Sequence, residues 1–440
     1  MSAQKGAPGQ QSERLAAYLE GLARAAGHAD RAAPCKAYCT GLLLAGERKS
    51  VEPMAARIYP HDVGRKHQSL HHFVAEADWD DERMLGFALD AVVPALLRRG
   101  PITAWVVDET GFVKKGRHSV GVARQYCGAV GKQENSRVAD SLSLATASLS
   151  MPVAFRLYLP REWAEDRDRR QKVGVPEEVV FQTKPQIALD QIRRASACGL
   201  PQGVVLADAV YGSDTAFRLE LERMEMQYAL GVMSSITVWP PGQQPVRAAR
   251  WTGTGRPPSS LRRAPRRCPL SVKELAEALP AEHWHTVTWR QGTRKKPLRS
   301  RFAALRVRPA HRDYERKKPF PEQWLLIEWP QGEDQPAKYW LSNLPADIGL
   351  KALVAHAKHR WIIERDYEEL KQELGLGHYE GRNWRGFHHH ATLCIVSYGF
   401  LVAERARFSP SAQAARLALR PPRIPTHFQP RGSSPSLGKA

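Results

Sequence analysis

The sequence predicts an α/β protein: a mixed sheet covered by helices, preceded by a helical region and interrupted by a basic, strand-rich insertion. Three observations carry that expectation. Short apolar runs ending in aspartate recur at 103–108 and 204–208, helix-period stretches alternate with them, and between 234 and 346 the alternation gives way to Pro/Gly turns and short strand-like runs. With 440 residues, 42% hydrophobic and 25% charged, the chain can build two or three domains, and wholesale disorder is excluded.

Residues 1–95 read as helical. Leu15, Leu19 and Leu22 recur at helical spacing, Ser50 can cap a helix over 51–58, and 84–97 carries another apolar stripe. The basic or His-rich turns here (Arg48 with Lys49; Arg65, Lys66 and His67, then His71 and His72) suit either a small DNA-binding region or a plain helical bundle. After Gly100 and Pro101, residues 103–108 read as a buried strand, and 120–127 and 141–149 as two more. A helix over 184–197, a second buried strand over 204–208, a helix over 214–224 and a strand over 228–233 follow. In the insertion, 284–289, 324–329 and 339–344 read as strands. Residues 240–320 hold 20 Lys/Arg and 5 Asp/Glu. Such an excess repels itself unless an anion is present, although a solvated loop-rich insert is the alternative. Helical pattern resumes over 348–374 and again over 386–408, and 409–440, rich in Pro, Ser and Arg, reads as disordered.

Charge narrows the function classes. Sixty-five Lys+Arg against 45 Asp+Glu give +20, which points to a polyanion partner, nucleic acid before an anionic membrane surface. The longest apolar stretch, 391–403, falls short of the roughly 18–20 residues of a membrane span. The opening MSAQKGAPGQQSER lacks the apolar segment of a secretory signal, and six scattered cysteines read as reduced thiols of a cytosol.

Metal-assisted phosphodiester cleavage needs hard oxygen ligands from different parts of a fold. Asp108 and Asp208 each end an apolar run. Alone, each reads first as a turn-capping aspartate; as a pair on neighbouring strands they read as metal ligands. In the helical stretch 358–374, Arg360, Glu364, Tyr367 and Lys371 share a narrow arc while Glu369 and Glu373 point away. An acid flanked on one face by Arg and Lys can bind metal while its neighbours hold phosphates, and an ordinary surface helix with ion pairs is the equal alternative. Glu109 should face opposite to Asp108, and Asp140 has no assigned role. Cys35 and Cys39 lack a second ligand pair for zinc. Trp284 and Trp289 read as strand packing before stacking on an unpaired base, and His388, His389 and His390 as a basic helix start before metal or DNA ligands.

WVVDETGF, VLADAVYGSD and RWIIERDYEELKQELGLGHYEGRNWRGFHHH, in that order, resemble the DDE transposases of bacterial insertion sequences; YCGAVGKQENSRVA, LYLPREWAEDRDRR and GLLLAGERKSVEPMA fit as well, so the resemblance spans residues 30–400. It implies an RNase-H-like catalytic domain over 96–233 and 347–408, split by a β-rich insertion over 234–346 and preceded by a DNA-binding helical region over 1–95. It also implies an acidic triad at Asp108, Asp208 and Glu364 that binds two Mg²⁺ ions, for which Mn²⁺ can substitute. The family's helix motif (Tyr, two residues, Arg, three, Glu, six, Lys) matches Arg360, Glu364 and Lys371, with Ala357 at the Tyr position.

The implied activity is cleavage at the element's terminal inverted repeats and transfer of the freed 3′-hydroxyl into target DNA, by a homodimer in a bacterial cytoplasm. Arg360 and Lys371 would steady phosphates. An inactive DNA-binding descendant, or another RNase-H-like nuclease, are the alternatives.

Overall fold

In the computed structural model, which describes residues 8–246, 253, 261, 268–292 and 297–407, the leucine spacing near the start becomes the first of five helices. These are α1 (Pro8–Ala25), α2 (Ala29–Leu43), α3 (Val51–Ile58), α4 (Val63–Ala75) and α5 (Asp81–Leu97). Ser50 stands at the N-cap of α3 without a side-chain capping bond, whereas Asp80 caps α5 by accepting from the N–H groups of Glu82 and Arg83. Lys49, expected in a basic turn, is buried. Its Nζ donates to the carbonyls of Leu42, at 2.8 Å, and Leu44. It thereby satisfies the open C-terminal end of α2 and is not presented to a partner.

The sheet begins with β1 (Ala104–Val113), β2 (Ala123–Cys127), β3 (Lys132–Ala145) and β4 (Ser150–Leu157), in which β3 pairs antiparallel with the other three. The sequence did not advertise β4, because Pro152 argues against a strand interior. The proline sits opposite Ser143, where the β3–β4 register shifts and a ladder hydrogen bond is dispensable.

Next come α6 (Arg161–Ala164), α7 (Arg167–Lys172), α8 (Lys184–Ala197), β5 (Val204–Ala207), α9 (Ala209–Gly212), α10 (Thr215–Arg223) and β6 (Tyr228–Val232). Parallel pairing of β5 with both β1 and β6 makes the sheet mixed. A full capping box at Thr183 and Gln186 starts α8, matching the expected helix.

The segment 234–346 continues the same sheet. It contains β7 (Thr237–Trp239), β8 (Leu270–Ser271), α11 (Val272–Glu277), β9 (His285–Gln291), β10 (Pro297–Pro309), β11 (Gln323–Trp329) and β12 (Lys338–Ser342). β12 pairs antiparallel with β6, giving the order β2-β3-β1-β5-β6-β12-β11-β10-β7-β8, with β4 on β3 and β9 on β10. The 13-residue β10 was hidden in the sequence by its arginines. Arg301 lies over Trp329 and Arg306 over Trp324, with the guanidinium carbon 3.9 and 5.0 Å from the ring centres, while Phe302, Leu305 and Val307 are buried. Most of the arginine-rich run from 247 to 267, and the tail from 408, lie outside the described residues.

The expected helix over 348–374 is two helices, α12 (Leu350–Lys358) and α13 (Trp361–Gln372). At the junction the backbone bonds tighten to i+3 spacing, Ile362 N–H to His359 O and Ile363 N–H to Arg360 O, which restarts the helix at Arg360. The last described helix is α14 (Trp384–Ala406).

Alternation along β1 decides what each face meets. Trp105 and Val107 enter the core shared with α5, α8 and α14, whereas Ala104 and Val106 enter the core built by α12 and α13. Asp108, two residues beyond Val106, therefore faces α13, and Glu109 faces α8.

His388, His389 and His390 depart from expectation: all three are buried, and desolvation pushes them down to about 4, 3 and 4, so they are neutral and not a basic helix start. They fasten α14 to its neighbours. His390 Nε2 donates to Gly375 O and Nδ1 accepts from the Tyr38 hydroxyl, each at 2.9 Å. His388 Nδ1 donates to Trp384 O, and its Nε2 accepts the Leu157 N–H. His389 stacks on Trp79 at 3.6 Å and donates to its carbonyl.

Candidate active site

Strand register brings the two aspartates together. β1 and β5 run parallel with Val106 beside Leu206, so Asp108 and Asp208 come two residues later on strands spaced about 4.8 Å apart. Asp208 ends β5 by capping α9, its Oδ1 accepting the Val210 N–H at 2.8 Å. Asp108 Oδ1 accepts the Glu109 N–H at 2.9 Å. Burial lifts the Asp108 carboxyl to about 6; Arg360 opposes that rise and Asp208 adds to it.

Arg360 occupies the centre of this group. Its Nη1 donates to Asp108 Oδ2 at 2.6 Å. Burial disfavours the guanidinium charge, but Asp108, Asp208 and Glu364 more than offset it and raise the Arg360 pKa. Glu364 lies one turn further along α13 and is exposed. Strand register thus aligns the aspartates, Arg360 contacts Asp108, and Asp208 and the exposed Glu364 act on the same guanidinium through charge alone.

The rest of the expected arc on α13 also faces the sheet. The Tyr367 and Ser141 hydroxyls lie 2.8 Å apart, and Lys371 Nζ donates to Gly111 O at 3.0 Å. Gly111 is three residues beyond Asp108, about 10 Å along the strand. Lys371 is therefore placed away from the Asp108–Arg360 pair, and burial lowers its pKa. Ala357, at the motif's tyrosine position, is buried within α12. Glu369, on the far side, pairs with Arg405 of α14 at 2.5 Å.

A second polar group, not read from the sequence, lies behind the aspartates. Glu109 pairs with Lys184 of α8, and Asp140, opposite Glu109 in the β1–β3 register, accepts a hydrogen bond from the Tyr211 hydroxyl. Asp140 is fully buried, and desolvation raises it to about 8. Tyr211 belongs to α9, which Asp208 caps, so this bond ties the Asp208 turn to β3. The sequence signal was the aromatic in VYGSD; its partner could not be found without strand register.

Divalent metal is implied by the resemblance, and the donor types suit it while their spacing in this structure does not yet close a site. The carboxylates of Asp108 and Asp208, the first already balanced by a cation, and that of Glu364, which acts on the same arginine, are oxygen donors of the kind Mg²⁺ and Mn²⁺ take. Among the described residues no group of three or more His, Cys, Asp or Glu is close enough to hold an ion. Cys35 and Cys39 are buried free thiols within α2.

A mixed sheet with one aspartate on a strand and a second just past the end of its parallel neighbour, flanked by a helix carrying a third acid, is an RNase-H-like fold. The model of the DDE superfamily endonucleases matches residues 18–296, and the chain belongs to that family. The matched stretch includes Asp108 and Asp208 and ends before Glu364. The chain is also 32% identical over 197 residues to the "Probable transposase for insertion sequence element IS701" of Microchaete diplosiphon. That alignment takes in 44% of this chain and 48% of the relative, so the chain spans about half the length of the curated relative it matches.

Proposed function

We propose that this protein is an insertion-sequence transposase that cuts DNA at the ends of its element and joins the freed 3′-hydroxyl to target DNA. The observation that carries the reading is the register-matched pair Asp108 and Asp208 beside Arg360 and Glu364. Asp108, Asp208 and Glu364 would hold divalent metal, Mg²⁺ or Mn²⁺. When bound, the metal supplies a Lewis acid that activates water and then a 3′-hydroxyl for in-line displacement.

The chain's own residues divide the remaining work. Arg360, already drawn toward the acids, can turn its other N–H groups to a non-bridging phosphate oxygen, and its planar fork suits that contact better than an ammonium would. Lys371 steadies β1 at Gly111 and would reach phosphate only after leaving that carbonyl. The division assigned to the chain is a helical DNA-binding region over 1–95, a catalytic domain over 96–233 and 347–408, and a DNA-holding insertion over 234–346. Two copies would pair the element ends, within a bacterial cytoplasm. Among the described residues no helix is long and apolar enough to cross a membrane.

The test is plasmid nicking with Mg²⁺ or Mn²⁺, comparing wild type with Asp208→Asn, and strand-transfer products from a donor carrying the element ends. Metal-dependent nicking lost in the variant supports the reading. DNA binding without nicking by wild type would favour a regulator, and cleavage of RNA–DNA hybrids alone would favour another RNase-H-like nuclease.

A further inference from the structure

Where the insertion meets α13, two arginines share one tryptophan. The Arg290 guanidinium, at the end of β9, lies 3.7 Å from the centre of the Trp361 ring, and that of Arg365 lies 5.8 Å from it. Trp361, Glu364 and Arg365 are three and four residues apart on α13 and so occupy adjoining positions on its surface. The insertion therefore reaches the helix that carries the third acid, within one turn of it.

The neighbouring cations are already matched. Lys358 Nζ donates to both oxygens of Glu328, at 3.0 and 2.9 Å, and lies over Trp289; Arg360 is held by Asp108. Arg290 and Arg365 are not matched in this way. Among the described residues neither makes an ion pair within 4 Å, and the Nε of each is buried without a hydrogen-bond partner, while Arg365 spends Nη2 on Ser148 O. The two like charges disfavour each other, and Glu364 is the acid that favours Arg290. If Glu364 turns to metal, as the reading above requires, Arg290 loses its local counter-charge. A guanidinium laid on an indole can still make in-plane N–H contacts, and Arg290 lies so beside α13, with the Arg365 charge adding to it. A phosphodiester group satisfies both needs, charge and acceptor geometry.

We propose that Arg290, paired with Arg365 across Trp361, is a phosphate-binding residue through which the insertion grips the DNA strand entering the active site. The assignment rests on the proposed function, because it takes Glu364 as a metal ligand.

The experiment is fluorescence anisotropy with a fluorescein-labelled 30-bp duplex in EDTA, titrated with KCl, on full-length wild type, Arg290→Gln and Arg290→Lys. Thermal melting confirms that each variant folds, and plasmid nicking with Mn²⁺ is measured in parallel. Loss of one phosphate contact lowers the slope of log K against log[salt] by about 0.9. That loss is expected for Arg290→Gln, with the slope largely restored by Arg290→Lys. A residue that merely braced the Trp361 stack would leave the slope of Arg290→Gln at the wild-type value, and that result, in a protein that still nicks, overturns the assignment alone. The lowered slope together with no nicking by wild type would overturn the proposed chemistry and keep Arg290 as a DNA contact. Inorganic phosphate added at constant ionic strength, if it abolishes the difference between wild type and Arg290→Gln, supports a phosphate site.

Discussion

The Arg360 guanidinium lies 2.6 Å from the Asp108 carboxylate, so the first acid of the expected triad is already neutralised by a residue of the chain itself. In a partly buried site, two adjacent aspartates need a nearby positive charge. Arg360 supplies one without metal, and a divalent ion must compete with it. Substrate phosphate is the natural group to draw the arginine off Asp108, which would link metal loading to DNA binding.

The first prediction follows from that competition. Arg360→Ala should lower metal-dependent nicking by about 100-fold, through loss of a charged donor at the phosphate. It should leave Mn²⁺ binding by the DNA-free protein equal to or tighter than wild type, measured by titration calorimetry. Weaker Mn²⁺ binding in the variant would show that Arg360 does not compete with metal.

Asp208 has two duties, and substitutions separate them. As N-cap of α9 its loss to alanine should cost about 1 kcal/mol of stability, whereas asparagine caps as well. Asp208→Asn should therefore melt near wild type and Asp208→Ala below it, with nicking undetectable in both. Activity in Asp208→Asn would remove this residue from the set of metal ligands.

Much of this arrangement was legible in sequence. The apolar runs before Asp108 and Asp208 marked two strands, and of the helical arc Arg360, Glu364, Tyr367 and Lys371, three members meet β1 and β3 while Glu364 is exposed. What escaped depended on partners distant along the chain. The three histidines looked basic because sequence does not display burial. Lys49 looked like surface charge because its acceptors are backbone carbonyls of another turn. Strand β10 looked like a charge run because its arginines lie flat on tryptophans from β11. Asp140 became interpretable only when strand pairing put it opposite Glu109 and against Tyr211.

The buried histidines predict a specific pH dependence. His389 falls to about 3 in the folded state, against about 6.5 unfolded. Above pH 6.5 the ring is neutral in both states and its full contribution is present. As pH falls below that value the unfolded chain takes up a proton that the folded one refuses, and stability is lost down through the folded pKa. His389→Phe keeps a ring against Trp79 and loses one hydrogen bond, so it should cost about 1 kcal/mol at pH 7. By pH 4.5 the difference should shift by about 2–3 kcal/mol in the variant's favour. Denaturant melts of both proteins at the two pH values check this, and a constant difference would mean that the folded ring accepts a proton freely.

Asp140 predicts the opposite sign. Its folded pKa is raised to about 8 by burial, so at neutral pH the carboxyl is protonated while Tyr211 donates to it. The favourable balance is complete below the unfolded value near 3.9 and is lost as pH rises through 8, because the unfolded chain ionises more readily. An asparagine in its place still accepts the Tyr211 hydrogen bond and cannot ionise. Asp140→Asn should therefore gain stability relative to wild type from pH 6 to pH 9, by about 2 kcal/mol or more. Tyr211→Phe should be weaker than wild type throughout, by about 1–3 kcal/mol, because it removes the donor and leaves the buried carboxyl unmatched. Since Tyr211 shares its turn with Asp208, Tyr211→Phe should also slow nicking while leaving DNA affinity unchanged. Equal melting differences for Asp140→Asn at pH 6 and 9 would show that this carboxyl is ionised within the fold, and the strut between β3 and the Asp208 turn would have to be drawn as a charged one.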